Sequence, residues 1–153
     1  MENLSRFKNE VVVVNGASRG IGAGLAKRFA REGAKVVVTA NEDRVHAVAQ
    51  EIRDMGQQAM SFIVDVTQKN QIEDLYAQVI DEFGKLDVSI QNAGVITIKK
   101  FDEMTEEEWD WVMNVNTKGV FLCCQAAAKQ MAKQGSGKLI NTASGQSRDG
   151  FIY

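Results

Sequence analysis

Proline is absent from all 153 residues, histidine occurs once, and the only two cysteines are neighbours. The missing proline points to no function, but the other scarcities exclude some. Cys123 and Cys124 fall on a predicted helix, where adjacent side chains diverge, so a structural disulfide between them is not expected and the pair reads as reduced, buried thiols. His46 stands alone on a polar helix, reads as a solvated side chain and leaves no metal site. No apolar run approaches the length that spans a bilayer, and the start, Met1-Glu2-Asn3-Leu4-Ser5-Arg6-Phe7-Lys8-Asn9-Glu10, has no apolar leader core. The expected location is therefore cytoplasmic, with no membrane partner. A formal charge of −2 without long single-sign runs gives no footprint for nucleic acid. With 44% apolar and 25% charged residues, the chain is long enough for one globular domain with a real core.

The strongest signal present is Val11-Val12-Val13-Val14-Asn15-Gly16-Ala17-Ser18-Arg19-Gly20-Ile21-Gly22. Four β-branched residues in a row read as a strand buried on both faces, and Ile21, Leu25 and Phe29 then repeat at helical spacing. The glycines between them suit a nucleotide phosphate site. Gly16 permits a positive-φ turn, Gly20 lets backbone approach a pyrophosphate, and Gly22 lets the helix start pack on the strand. The spacing is not that of the commonest dinucleotide fingerprint, and no Gly-Lys-Ser/Thr follows to make a nucleotide-hydrolysing loop. A merely tight strand-to-helix turn is the bland alternative.

Strand and helix alternate along the rest of the chain. Lys35 to Thr39 is a second strand, residues near 42 to 55 a helix stopped by Gly56, and Ala59 to Val64 a third strand. Ile72, Leu75, Tyr76, Val79, Ile80 and Phe83 lay a clean apolar stripe ending at Gly84. Leu86 to Ile90 is a fourth strand. A helical stretch runs from about Thr105 to Gln134, with a capping box of Thr105 and Glu108 and a break near Asn114 to Asn116. The acids Glu106, Glu107 and Glu108 suit its first turn, and of Trp109 and Trp111 one is expected to pack and the other to stand at a substrate mouth or subunit contact. Lys138 to Thr142 is a fifth strand. The alternation predicts an α/β class, with right-handed crossovers building one doubly wound parallel sheet. Its ligand edge lies outside the carboxyl ends of the strands, at Asn15-Gly16, Thr39 to Asn41, Asp65, Asn92-Ala93-Gly94 and Thr142-Ala143-Ser144.

Together Gly16-Ala17-Ser18-Arg19-Gly20-Ile21-Gly22, Asp65-Val66, Asn92-Ala93-Gly94, Asn114-Val115-Asn116 with Gly119 and Phe121, and Ile140-Asn141-Thr142-Ala143-Ser144 make the chain resemble the short-chain dehydrogenase/reductase family. That family moves a hydride between a nicotinamide and an alcohol or carbonyl. The resemblance covers essentially the whole chain and implies a single Rossmann-type dinucleotide-binding domain over residues 1–153, truncated after the fifth strand and incomplete at its C-terminus. Asn15 stands where many members have Thr, and its amide would make similar turn bonds. By the resemblance, Gly16, Ser18, Arg19, Gly20, Ile21 and Gly22 hold the cofactor phosphates. Asp65 accepts from the adenine amine with Val66 lining that pocket, and Asn92, Ala93 and Gly94 approach the ribose and nicotinamide.

At the end of the second strand, Asn41 stands where an acid would favour NAD, and Arg19 would pair with a 2′-phosphate, so NADP is expected with NAD as the alternative. Ser144 would donate to the substrate oxygen, and Asn116 would hold a water of the proton relay. The family's Tyr and its following Lys are not among these residues; Tyr153 reads as a loop or pocket residue. The resemblance thus implies a small alcohol or carbonyl substrate and a full-length homo-oligomer. It also implies an exposed fifth strand and an apolar patch at Phe121, Leu122, Cys123 and Cys124. Two alternatives stand: a non-catalytic truncated dinucleotide-binding or interaction protein, and a methyltransferase on a similar sheet, which would need neither Asn116 nor Ser144.

Overall fold

A run of four valines leaves a strand no polar face, and the structure, a computed structural model that describes residues 5–145, buries all four completely. Strand β1 (Val11–Asn15) is central in a five-stranded parallel sheet. On one side lie β2 (Lys35–Ala40) and β3 (Ala59–Ile63), and on the other β4 (Val88–Gln91) and β5 (Lys138–Asn141). The order β3-β2-β1-β4-β5 reverses the winding at β1, and Asn15 is in register with Thr39 on one flank and Gln91 on the other. Such a reversal leaves a crevice outside the carboxyl ends of β1 and β4, the place where open α/β sheets take ligands.

Alternation along the strands divides the core into two layers. Val12, Val14, Val36 and Val38 face α1 (Gly20–Arg31) and α2 (Arg44–Asp54), whereas Val11, Val13 and Val37 face α3 (Lys69–Phe83) and α5 (Val120–Gln134). The sheet is therefore covered on both faces, which is why β1 and the middle of β2 read as apolar runs, whereas β4 buries Ser89 and Gln91 between its apolar residues. Helix α1 departs from expectation. Its buried face is Gly22, Ala23, Ala26 and Ala30, while Ile21 is 69% exposed and Leu25 and Phe29 are only half-buried. Small residues let this helix approach the sheet closely, so Leu25 and Phe29 pack at the margin of the same core layer and only Ile21 is turned outward.

Glycine in the left-handed conformation ends α3 at Gly84 (φ 74°) and α5 at Gly135 (φ 76°). The Thr105–Glu108 capping box starts α4 (Glu106–Met113). The expected break after α4 is instead a π-helical segment, Asn114–Gly119, that passes directly into α5. A widened turn carries the backbone of Gly119 against Val66, where a Cβ would lie 2.8 Å from Val66 Cγ2. Trp109 and Trp111 are both substantially exposed, so neither is a core residue. Of the expected apolar patch only Phe121 is exposed, at 57%, because Leu122 and Cys123 turn into the core and Cys124 is half-buried. Leu139 and Ile140 of β5 are exposed, as expected for that strand. Among the described residues no helix is long and apolar enough to cross a membrane. Tyr153 lies outside the described residues.

The segment before β1 is stitched to the end of α1. Arg6 and Arg28 converge on Glu32, whose side chain is 2% exposed, Phe7 N–H donates to Glu32 O at 3.0 Å, and the Phe7 and Phe29 rings meet edge-on at 4.7 Å. The hydrogen bond from Arg6, assisted by Arg28 and opposed by burial, holds the Glu32 carboxyl down at about 2. A depressed carboxyl stabilises the fold above its unfolded value, near 4.5, and that contribution is lost as pH falls from there toward 2. Thermal melts should accordingly show the native chain losing its advantage over Glu32→Gln through that window. Parallel pH profiles for the two proteins would contradict it.

Candidate dinucleotide site

The turn after β1 is built from backbone. Gly16 and Ala17 N–H both donate to Thr39 O at 2.8 Å, and Asn92 closes the far side by donating from Nδ2 to Gly16 O at 2.8 Å and from its own N–H to Asn15 O at 3.1 Å. The three glycines have distinct surroundings. Gly16 has φ 78° and faces Ala93, where a Cβ would sit 2.5 Å from Ala93 Cα. A Cβ on Gly22 would fall inside van der Waals contact with Gly16 O and 2.7 Å from Asn92 Nδ2. Gly20, with φ 56° at the start of α1, has nothing within 4 Å. Gly16 and Gly22 are thus locked into the crevice wall, while Gly20 borders open space at a helix N-terminus, where unpaired N–H groups and the helix dipole favour an anion.

Around that point Arg19 and Ile21 are exposed, and Ser18, nearly buried, donates from Oγ to Glu42 Oε1 at 2.6 Å. Asn41 is exposed just past β2. Past β3, Asp65 Oδ1 accepts from Thr67 N–H (2.9 Å) and Thr67 Oγ1 (2.8 Å), an Asx turn that fixes the carboxylate, and Val66 is buried against Gly119. Past β4, Gly94 is exposed and Asn92 and Ala93 half-buried. The amide of Asn116, in the π-helical segment, accepts from Val95 N–H and donates to Val95 O, both at 2.8 Å. Its side chain therefore braces the loop that follows β4. Ser144 lies exposed just past β5 on the same sheet edge.

Beneath the crevice is a buried polar network that sequence reading missed. Asn15 donates from Nδ2 to Gln91 Oε1 (2.7 Å) and to Tyr76 Oη (3.1 Å), and accepts from Thr39 Oγ1 at 2.9 Å. Gln91 Nε2 donates to Ser89 Oγ at 3.0 Å, and the Tyr76 and Ser89 hydroxyls lie 2.7 Å apart. Asn15 thus bonds inward across three strands and α3, not to the turn as expected. Its residue type at a strand end was a signal, but partners 61 and 76 residues away were not visible from it. Burial drives the Tyr76 phenol well above its ordinary range, so it stays a neutral hydrogen-bonding group. Burial also pushes the Cys123 thiol up to about 12, and Cys124 Sγ donates to Asn141 Oδ1 at 3.2 Å, so neither cysteine is poised as a nucleophile. His46 is exposed, with Nδ1 2.9 Å from Ser61 Oγ.

A family model described as short chain dehydrogenase matches residues 10–153. Among curated proteins, the chain is 37% identical over 138 residues to a 3-oxoacyl-acyl-carrier-protein reductase of Staphylococcus epidermidis, covering 89% of this chain and 57% of that one. It is 35% identical to a short-chain dehydrogenase/reductase of Armillaria gallica, covering 98% and 59%. The chain thus spans just under three-fifths of the length of these relatives. Among solved structures, a short-chain type dehydrogenase/reductase from Mycobacterium marinum superposes with a TM-score of 0.94 at 36% identity, covering 98% of this chain and 62% of that one. A metagenomic short-chain oxidoreductase in complex with NADP superposes at 0.89 with 34% identity, covering 95% and 67%.

Proposed function

We propose that this chain, which belongs to the short chain dehydrogenase family, binds NADP in the crevice between β1 and β4 as the dinucleotide-binding part of a carbonyl reductase. The observation that carries the reading is the contrast among the glycines. Gly16 and Gly22 are packed where any Cβ would collide, and Gly20 between them faces empty space at a helix N-terminus. The positive φ of Gly20 serves the turn as well, but the turn does not need the space left open beside it at the start of α1. When bound, NADP supplies the hydride acceptor or donor.

The chain's own residues bind and orient. Backbone N–H groups at the start of α1 hold the pyrophosphate, and Arg19, exposed beside Ser18, pairs with the 2′-phosphate. Asp65 keeps lone pairs beyond those given to Thr67 and accepts from the adenine amine, with Val66 beneath it. Asn92, Ala93 and Gly94 pass close to the ribose and nicotinamide. Ser144 donates to the substrate carbonyl oxygen, where negative charge develops during reduction. Asn116 acts by fixing the loop at Val95 beside that site.

A 3-oxoacyl thioester is the substrate class we favour. Relatives that carry the name 3-oxoacyl-acyl-carrier-protein reductase support it, as do Ile96, Ile98 and Phe101, which expose apolar surface along the loop after β4. A cytoplasmic setting and a homo-oligomeric full-length form belong to the same reading. The test on the chain itself is a fluorescence titration with NADPH and with NADH. Saturable one-to-one binding, tighter for NADPH, is expected; a folded chain that binds neither would refute the reading, and one that prefers NADH would reassign the cofactor to NAD.

A further inference from the structure

Trp111 is 48% exposed and takes no part in either core layer. It stands on one wall of a surface groove of about 270 Å³, lined otherwise by Thr67, Gln68, Asn114 and Lys118. Trp111, Asn114 and Lys118 follow one another at helical spacing, so they share one face of α4 and the π-helical segment. Opposite them, Thr67 and Gln68 are the last two residues before α3. Gly119 brings the two walls together: its backbone rests on Val66, where a Cβ would lie 3.2 Å from Val66 O, and this sets the helical face alongside the step that leads into α3. Thr67 is spent on Asp65, and Gln68 Nε2 donates to Thr67 Oγ1 at 3.1 Å. The other three are uncommitted. Among the described residues, the Trp111 indole N–H, the Asn114 amide and the Lys118 ammonium have no hydrogen-bond or ion-pair partner. Lys118 also lacks an acid one helical turn away, since Asn114, Val115, Phe121 and Leu122 occupy those positions, whereas Lys69 and Lys129 both reach Glu73 at 3.8 Å.

We infer that this groove is a second ligand site, separate from the dinucleotide crevice, and that it takes a small planar aromatic carboxylate with its ring on Trp111 and its carboxylate on Lys118 and Asn114. An ammonium and an indole N–H are donors only, and an amide can turn its donor side to a ligand, so the set matches an acceptor-rich anion. The indole adds a flat apolar face for a ring. An anion without a ring leaves that face in water, a ring without a charge leaves Lys118 unpaired, and a cation is repelled. The groove is smaller than the roughly 300–1,000 Å³ of pockets that take drug-sized ligands, which limits the occupant to an acid of one or two rings. It shares no lining residue with the glycine turn, so the inference does not rest on NADP binding.

The experiment is a titration of the full chain with benzoate, its uncharged isostere benzamide, and acetate, followed by backbone amide and indole N–H chemical shifts, with Trp109→Phe to assign the Trp111 indole. Benzoate is expected to saturate in the millimolar range that so few atoms allow, with shifts centred on the Trp111 indole and on Thr67, Gln68, Asn114 and Lys118. Benzamide and acetate each lack one of the two recognised features and should bind about fivefold more weakly or worse. Lys118→Met should bring benzoate down to the level of benzamide, Lys118→Arg should hold it near native, and Trp111→Leu should bring it down to the level of acetate, with thermal melts as the folding control. The proposal is overturned by benzoate shifts that are absent or fall on Gly16 to Gly22, by equal affinity for benzoate and benzamide, or by benzoate binding that survives Lys118→Met unchanged in a protein that melts like the native chain.

Discussion

Gly22→Ala should destabilise the chain by about 3 kcal/mol and abolish NADPH binding, although alanine is the better helix former. Position 22 lies in the first turn of α1, so helix propensity alone would reward the change by roughly 0.5–1 kcal/mol. The added Cβ, however, meets Gly16 O, Asn92 Nδ2 at 2.7 Å and Ala17 Cα at 3.0 Å. Two of these three are backbone atoms and the third is the amide that ties the β4 end to the turn, so relief requires opening the crevice itself. The same helix supplies controls. Gly24→Ala, exposed and with nothing within 4 Å, should be neutral or stabilising. Gly20→Ala should cost about 1–2 kcal/mol, from its φ of 56° alone, yet weaken NADPH by crowding the open space. Urea denaturation and NADPH titration of the three variants measure this, and equal stability for Gly22→Ala and Gly24→Ala would contradict the packing argument.

The second large effect is expected at Asn15. Leucine there fills a similar volume but strips Thr39 Oγ1 and Gln91 Oε1 of the Asn15 amide and leaves Tyr76 Oη with Ser89 alone, in a place water does not reach. Each abandoned buried polar group costs about 1–3 kcal/mol, so Asn15→Leu should lose roughly 3–4 kcal/mol of stability. Gln91→Leu should lose less, and Asn15→Leu with Gln91→Leu should lose at least ~1 kcal/mol less than the two single changes added, because the second removes a group that the first had orphaned. Additive losses would show that the two amides do not act as one network. Since Asn15 O and Gly16 O are the acceptors that hold Asn92, loosening the network should also weaken dinucleotide binding.

Much of this fold could be read locally. Strand positions, the Thr105–Glu108 box and the Gly84 stop are set by neighbours within one turn of chain, and the structure keeps them within a residue or two. What escaped was set by distant partners. The stripe Ile21, Leu25, Phe29 is a valid helical pattern, but the closeness of α1 to the sheet selects Gly22, Ala23, Ala26 and Ala30 for the inner face. The π-helical turn answers to Val66, some fifty residues earlier in the chain, and the Asn116 amide is taken up by Val95. Of the site residues, the glycines announce themselves because backbone freedom is a property of residue type. The Ser18–Glu42 pair and the network under Asn15 do not, since nothing in a serine or an asparagine names its partner.

The central claim is that the crevice between the ends of β1 and β4 takes a dinucleotide, and residue-resolved amide chemical shifts during an NADPH titration test it most directly. The shifts are expected to cluster at Gly16 to Gly22, Asp65-Val66 and Asn92 to Gly94, leaving the far ends of the strands, at Val11 and Lys35, unmoved. Saturation with shifts confined to another face, or none in a chain that remains folded, would contradict the claim.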